Sequence, residues 1–201
     1  MKLPSQILED AVDRLSIFPG IGKRSALRMV IFLLHQPNEN VFAIGEALDR
    51  LKREITVCQK CYNIAESDLC DICKNKGRDE STICVVENFT DILAIETTAQ
   101  YKGLYHVLGG LISPMNGITP SDLNIDSLLE RMDGENISEL IFALSTTIEG
   151  DTTAYYIRRK MGENAVTFSQ ISRGVSMGSE LEFADEATLA NSIVNRIPFN
   201  Q

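Results

Sequence analysis

The chain has 201 residues, 44% of them hydrophobic and 23% charged, with five cysteines and a formal net charge of −9. That composition allows one domain with appendages, or one small and one medium domain, and it excludes a disordered chain and a uniformly basic nucleic-acid binder. The polar start "MKLPSQILED" lacks the apolar core of a secretory signal. The longest apolar run, residues 29–34, falls far short of the ~18 residues of a membrane span, so a cytosolic protein is expected.

The charge is uneven. Residues 1–60 carry nine Lys and Arg against seven Asp and Glu, whereas residues 61–201 carry 10 against 21. Nucleic-acid contact is therefore expected at the N-terminal end. The acidic remainder repels phosphate unless a metal covers it or a basic protein docks there.

Residues 5–56 read as helices. Leu8, Ala11, Val12, Leu15 and Phe18 fall on one helical stripe, and Ile44, Leu48, Leu51 and Ile55 repeat at helical spacing. Between them "SALRMVIFLL" (25–34) is apolar almost all round. Such a helix must be covered on every side, which a helical domain this small does not achieve alone, so packing against a second subunit is expected.

The stretch "RLSIFPGIGKRSALR" (14–28) places Pro19, Gly20, Ile21 and Gly22 between two helical runs, followed by Lys23, Arg24 and Arg28. Glycines let a backbone turn tightly and approach a partner closely. The free N–H groups that open the next helix suit a phosphate oxygen, and basic residues four apart share a face. Gly20, Gly22, Lys23, Arg24 and Arg28 are the candidate residues for sequence-independent contact with a DNA backbone.

Residues 57–80 are short, polar and poor in large apolar side chains. Cys58-x₂-Cys61 and Cys70-x₂-Cys73 supply four thiolates with the spacing of a closed, structural zinc site, whose metal would contribute the folding energy that a core would otherwise supply. Cys84, inside "TICVVE", reads as a core residue.

From residue 81 the pattern changes. "TICVVE" (82–87), "LYHVLGG" (104–110), "ELIFALST" (139–146) and "AVTFSQIS" (165–172) read as strands, with helical runs at 91–98, 125–132 and 151–162 between them. The alternation predicts an α/β fold, a parallel sheet with helices on both faces. A further helix is expected at 185–196, followed by an apolar tail, "IPFN", that docks on this chain or a neighbour. In such a sheet functional groups gather at the C-terminal strand ends. Glu87, Glu149 and Asp151 are expected together at that edge, where three carboxylates are a candidate Mg²⁺ site or an acidic docking surface. Tyr155 and Tyr156 read as packing residues, and His35 and His106 as structural. The chain has no Gly-x₄-Gly-Lys-Ser/Thr phosphate loop, which argues against ATP hydrolysis.

Together the hairpin "LSIFPGIGKRSA", the four-cysteine module, "ICVVE", "TTIEGDTTA" and the loop "GLYHVLGGLISPMNGI" resemble the RecR family of bacterial recombination mediators over nearly the whole chain. Two positions depart from the pattern: Lys23 stands where some relatives have proline, and the Toprim acidic motif usually written Asp-x-Asp reads Glu149-Gly-Asp151. The resemblance implies four parts: a helix-hairpin-helix domain for DNA binding and oligomerisation (1–56), a four-cysteine zinc finger (57–80), a Toprim domain (81–176) and a C-terminal helix and tail in subunit contact (177–201). It also implies a non-catalytic, nucleoid-associated protein that binds single- and double-stranded DNA. Such a protein assembles as a ring-like homotetramer and acts with RecO and RecF to load RecA onto single-stranded DNA. Glu87, Glu149 and Asp151 then become partner-binding residues or a weak Mg²⁺ site. The alternative reading is a Mg²⁺-dependent Toprim nuclease built on the same three carboxylates.

Overall fold

The computed structural model describes residues 3–162, 166–176 and 178–198. It divides into two compact units, Met1–Ile55 and Thr56–Gln201.

The first unit is three helices, α1 (Gln6–Leu15), α2 (Lys23–Leu34) and α3 (Asn38–Glu54). Its core is small: Val12 of α1 packs against Ala26 and Val30 of α2, flanked by Leu8, Ala11 and Leu15. Phe18 does not extend the α1 stripe as the spacing predicts. The helix ends where the Ser16 N–H reaches the Val12 carbonyl at 2.9 Å, and Phe18 lies beyond it, exposed. Met29, Ile31, Phe32 and Leu34 of α2 are exposed, so the all-round apolar helix keeps an uncovered side. On α3 nothing is buried; Ile44, Leu48 and Leu51 are exposed, and Ile55 follows the helix end.

The second unit is built on a four-stranded parallel sheet, whose strands lie side by side in the order Gly103–Val107, Asp79–Val86, Glu139–Ala143, Thr167–Gln170. In chain order it runs β3 (Asp79–Val86), α5 (Phe89–Thr97), β4 (Gly103–Val107), α6 (Ile125–Gly134), β5 (Glu139–Ala143), α7 (Ile148–Met161) and β6 (Thr167–Gln170), followed by α8 (Glu186–Val194). All four expected strands and the helices between them form. The first strand begins earlier than its apolar run, at Asp79; Ala165, in the last expected strand, lies outside the described residues.

Strand alternation sorts the core into two layers. Ile83 and Val85 point to one face, where Leu128 of α6 and Ile157 of α7 cover them. Cys84 and Val86 point to the other, where Ile92 of α5 covers them. The sheet is thus covered on both faces, as its continuous apolar strands require. On α8 nothing is buried, and Ile193, Val194 and Ile197 are exposed; Phe199 and Asn200 of the expected apolar tail lie outside the described residues.

The cysteine segment, with β1 (Thr56–Val57), β2 (Ile64–Ala65) and α4 (Asp71–Lys74), belongs to the same compact unit as the sheet. The Val107 N–H of the outer strand β4 donates to the Cys61 carbonyl at 2.9 Å. The Tyr62 ring meets His106 edge-on at 5.5 Å, and Lys60 pairs with Glu135 of α6 at 3.1 Å. Ile72 packs against both layers of the sheet core. The module therefore covers the β4 edge, which would otherwise offer unpaired backbone groups.

Candidate functional site

The hairpin between α1 and α2 contains two glycines with different reasons to be glycine. Gly20 has φ +78°, the left-handed region that side chains other than glycine enter at a cost. Gly22 caps α2 with an ordinary φ of −82°, and a Cβ added there meets nothing within 4 Å. The fold accounts for the first and leaves the second free. Beyond Gly22 the first N–H groups of α2 have no partner within the helix. Arg24 and Arg28 stand exposed one turn apart, and among the described residues neither makes an ion pair or hydrogen bond. Lys23 differs: its Nζ lies 3.1 Å from Asp13 Oδ1 on α1, so its charge is partly offset.

The four cysteines converge. The Sγ atoms of Cys58, Cys61, Cys70 and Cys73 all lie within 4.8 Å of one another, and those of Cys61 and Cys70 are 3.5 Å apart. Each pair sits on a tight turn. Tyr62 N–H returns to the Cys58 carbonyl at 2.9 Å, and Lys74 N–H to the Cys70 carbonyl at 3.0 Å. Hydrogen bonding to Cys61 holds the Cys70 thiol well below its usual range, and the same bond pushes Cys61 up. Four thiols this close cannot all ionise together without a cation among them, so the cluster suits a divalent metal that thiolates bind. Four sulfurs with no open position fit structural zinc, which would cross-link the two turns. Cys84 stands apart; burial pushes its thiol up to about 12.

The acidic edge departs from the sequence reading. The loop after β5 ends at Thr147, whose hydroxyl caps α7 by accepting from Gly150 N–H at 3.2 Å. The helix starts ahead of the expected run at 151–162, so Glu149 as well as Asp151 sits inside the first helical turn, where the helix dipole favours carboxylates. Between them Gly150 is required by packing, since a Cβ there would lie 2.0 Å from the Ser145 carbonyl oxygen. Thr153 Oγ1 donates to the Glu149 carbonyl at 2.7 Å and accepts from Ile112 N–H at 2.9 Å, which fixes the loop after β4 against α7.

Glu87 follows β3 at the same end of the sheet and accepts from Ser145 Oγ at 2.9 Å. Asp151 is held by Arg173, whose Nη1 donates to Asp151 Oδ2 at 3.0 Å while Nη2 reaches Oδ1. The three carboxylates share a sheet end without forming a metal-sized group. Among the described residues the four cysteines are the one cluster of three or more potential ligands placed to hold a metal ion. Sequence reasoning missed Arg173. The strand-end rule that singles out Glu87 could have found it, because it follows β6 as Glu87 follows β3.

The sequence matches the RecR helix-hairpin-helix model over residues 8–52, the RecR four-cysteine zinc finger domain over 55–75, the Toprim domain over 81–172 and the RecR C-terminal model over 174–197. It is 52% identical over 199 residues to the recombination protein RecR of Porphyromonas gingivalis, covering 99% of this chain and 96% of that one. To the RecR of Bacteroides thetaiotaomicron it is 54% identical over 196 residues, covering 98% and 96%. To that of Amoebophilus asiaticus it is 53% identical over 200 residues, covering 100% of both. The chain belongs to the RecR family.

Within the RecR frame Arg173 falls at the joint, one residue after the Toprim match and one before the C-terminal match. Of the other expectations, Tyr156 packs against the core, with Lys160 Nζ 5.7 Å from its ring centroid, whereas Tyr155 is largely exposed. His106 is buried and donates from Nε2 to the Asn124 carbonyl at 2.7 Å; burial lowers its pKa to about 4 and keeps it neutral. His35 Nδ1 contacts the Ile31 carbonyl at 2.8 Å near the end of α2. Among the described residues no helix is long and apolar enough to cross a membrane.

Proposed function

We propose that this RecR-family chain is a non-catalytic, DNA-binding recombination mediator of the cytoplasm. The hairpin grips the DNA backbone without reading sequence. The observation that carries the reading is the combination near one helix start of Arg24 and Arg28, whose side chains are unpaired among the described residues, with Gly22, whose missing side chain the fold does not need. Phosphate approaches the α2 N-terminus over Gly22, Arg24 and Arg28 neutralise it from one face, and Gly20 makes the turn that presents them. Lys23, held by Asp13, positions the hairpin more than it binds.

One hairpin offers few charges, so several must act together. The exposed apolar sides of α2 and α3 supply a reason for assembly, each large side chain contributing about 1.5–3 kcal/mol when covered. A homotetrameric ring that brings several hairpins to one DNA satisfies both needs. The acidic edge with Glu87 and Glu149 docks RecO or RecF, and the assembly helps load RecA onto single-stranded DNA.

The Arg173–Asp151 pair counts against a Mg²⁺-dependent nuclease at the same edge, because a guanidinium already neutralises one of its three carboxylates. Two experiments test the proposal. The Arg24→Ala, Arg28→Ala double variant should lose most duplex binding; unchanged binding removes the hairpin assignment. Incubation with DNA and Mg²⁺ or Mn²⁺ should leave the DNA intact, and cleavage that disappears in Glu149→Gln would establish the nuclease instead.

A further inference from the structure

The C-terminal half of α7 carries features that neither the hairpin nor the acidic edge uses. A cleft of about 240 Å³ opens between α7 and β6. In its wall Phe142 and Phe168 stack nearly parallel, with centroids 6.2 Å apart, and the Arg158 guanidinium lies 5.9 Å from the Phe168 ring centroid. The aromatic stack thus ends in a cation. Tyr155, one turn before Arg158 on the same helix face, is 66% exposed. Arg159 beside them is exposed, and its side chain makes no ion pair or hydrogen bond among the described residues.

Cations in the last turn of a helix offset its dipole, which accounts for the charges of Arg158, Arg159 and Lys160 alike. The dipole does not explain a tyrosine left in water or the seating of the Arg158 guanidinium over the Phe168 ring. The cleft is also spared the repulsion of the surrounding acidic surface. Among the described lining residues its one carboxylate is Asp151, and Arg173 already holds that. A cationic, aromatic cleft with the Gln170 amide at its side matches the chemistry of unpaired nucleobases, which stack on rings and guanidinium planes while cations meet the phosphates. A duplex keeps its bases stacked on each other and has none to offer.

We infer that the α7–β6 cleft is a second nucleic-acid contact that takes a single-stranded segment, one base stacking against Tyr155 and Arg158 while Arg159 faces the phosphates. The inference rests on the reading of this chain as a DNA-binding mediator but concerns a different surface, so the two fail separately. In the test, the full chain is irradiated with an oligothymidine containing 4-thiothymine and the crosslink is mapped by mass spectrometry. Affinities for the oligonucleotide and for a duplex are then measured for wild type, Tyr155→Ala, Arg158→Gln and the Arg24→Ala, Arg28→Ala pair.

A crosslink should fall on the peptide containing Tyr155. Tyr155→Ala and Arg158→Gln should each weaken single-strand binding at least about fivefold and leave duplex binding unchanged. The hairpin variant should lose duplex binding and keep the Tyr155 crosslink. Crosslinks confined to residues 1–55, no single-strand binding by wild type, or cleft variants with unchanged single-strand affinity would each overturn the proposal. So would cleft variants that keep the affinity but alter the solution mass, since the cleft would then be a contact between copies. Because the crosslink is mapped on wild type, misfolding of a variant does not remove the test.

Discussion

Arg173 clasps Asp151 through both terminal guanidinium nitrogens, tying the segment after β6 to the first turn of α7. Two consequences follow for the acidic edge: Asp151 is not an unclaimed carboxylate, and its charge is balanced within the same chain. Arg173 holds the Asp151 carboxyl below its ordinary value of 3.8. A depressed carboxyl adds stability above its unfolded pKa and loses it as pH falls through the folded one. The window lies below about pH 4. In a carbon-detected NMR titration, Asp151 should titrate at lower pH in wild type than in Arg173→Gln. The pair is half exposed, so Arg173→Gln should cost no more than about 1 kcal/mol at neutral pH by urea denaturation.

The two hairpin glycines should respond in opposite ways. Gly20→Ala forces a side chain into φ +78° and should cost about 1–2 kcal/mol in a thermal melt. Gly22→Ser sits in open space at a helix cap that favours serine, so stability should hold or rise by a few tenths of a kcal/mol. DNA affinity should nonetheless fall in Gly22→Ser, because its side chain stands where phosphate approaches. Gly22→Ser with full affinity would show that the backbone there touches nothing.

Gly150→Ala should be among the more damaging small substitutions in the second unit. The added methyl would sit 2.0 Å from the Ser145 carbonyl, a backbone atom that cannot swing away. A loss of about 1–3 kcal/mol or more is expected by chemical denaturation. Gly134→Ala at the end of α6 meets nothing within 4 Å and serves as the control, with little or no loss.

The cysteines should divide four and one. Cys61→Ser should lower the bound zinc measured by atomic emission and destabilise the whole second unit, because the Cys61 backbone also accepts from Val107 of the sheet. Cys84→Ala should keep one zinc per chain and lose only packing. In native protein Cys84 should resist thiol reagents, since burial raises its pKa to about 12 and leaves almost no thiolate at neutral pH. Rapid native labelling of Cys84 would contradict its place in the core.

Local pattern made most of the architecture legible. The continuous apolar runs around Val85, Leu104 and Leu140 mark strands buried on both faces, and the intervening helical spacing leaves few arrangements other than a covered parallel sheet. The paired Cys-x₂-Cys spacing pointed to the cysteine cluster, because each such turn brings its own two sulfurs together, and the fold of the short module then brings the two turns to one point. Errors fell at element ends. Phe18 continued a helical spacing past the residue where the α1 backbone turns, and Glu149 looked like a residue before the helix because the Thr147 cap lies ahead of the expected start at Asp151.

By itself the sequence determined the order of elements, the four-cysteine cluster, the family and the split between a slightly basic N-terminal end and an acidic remainder. Those properties reside in residue type and short spacing, which survive without knowledge of the fold. Only the tertiary structure decided what each charge meets. Lys23 is tied to Asp13 across a turn, and Asp151 to Arg173, 22 positions later in the chain. The cysteine module meets the sheet edge through the Cys61 carbonyl, which accepts from the Val107 N–H, and through Tyr62 against His106. The polar contacts depend on side chains and backbone groups brought within about 3 Å by packing of distant segments, and no local pattern encodes that distance.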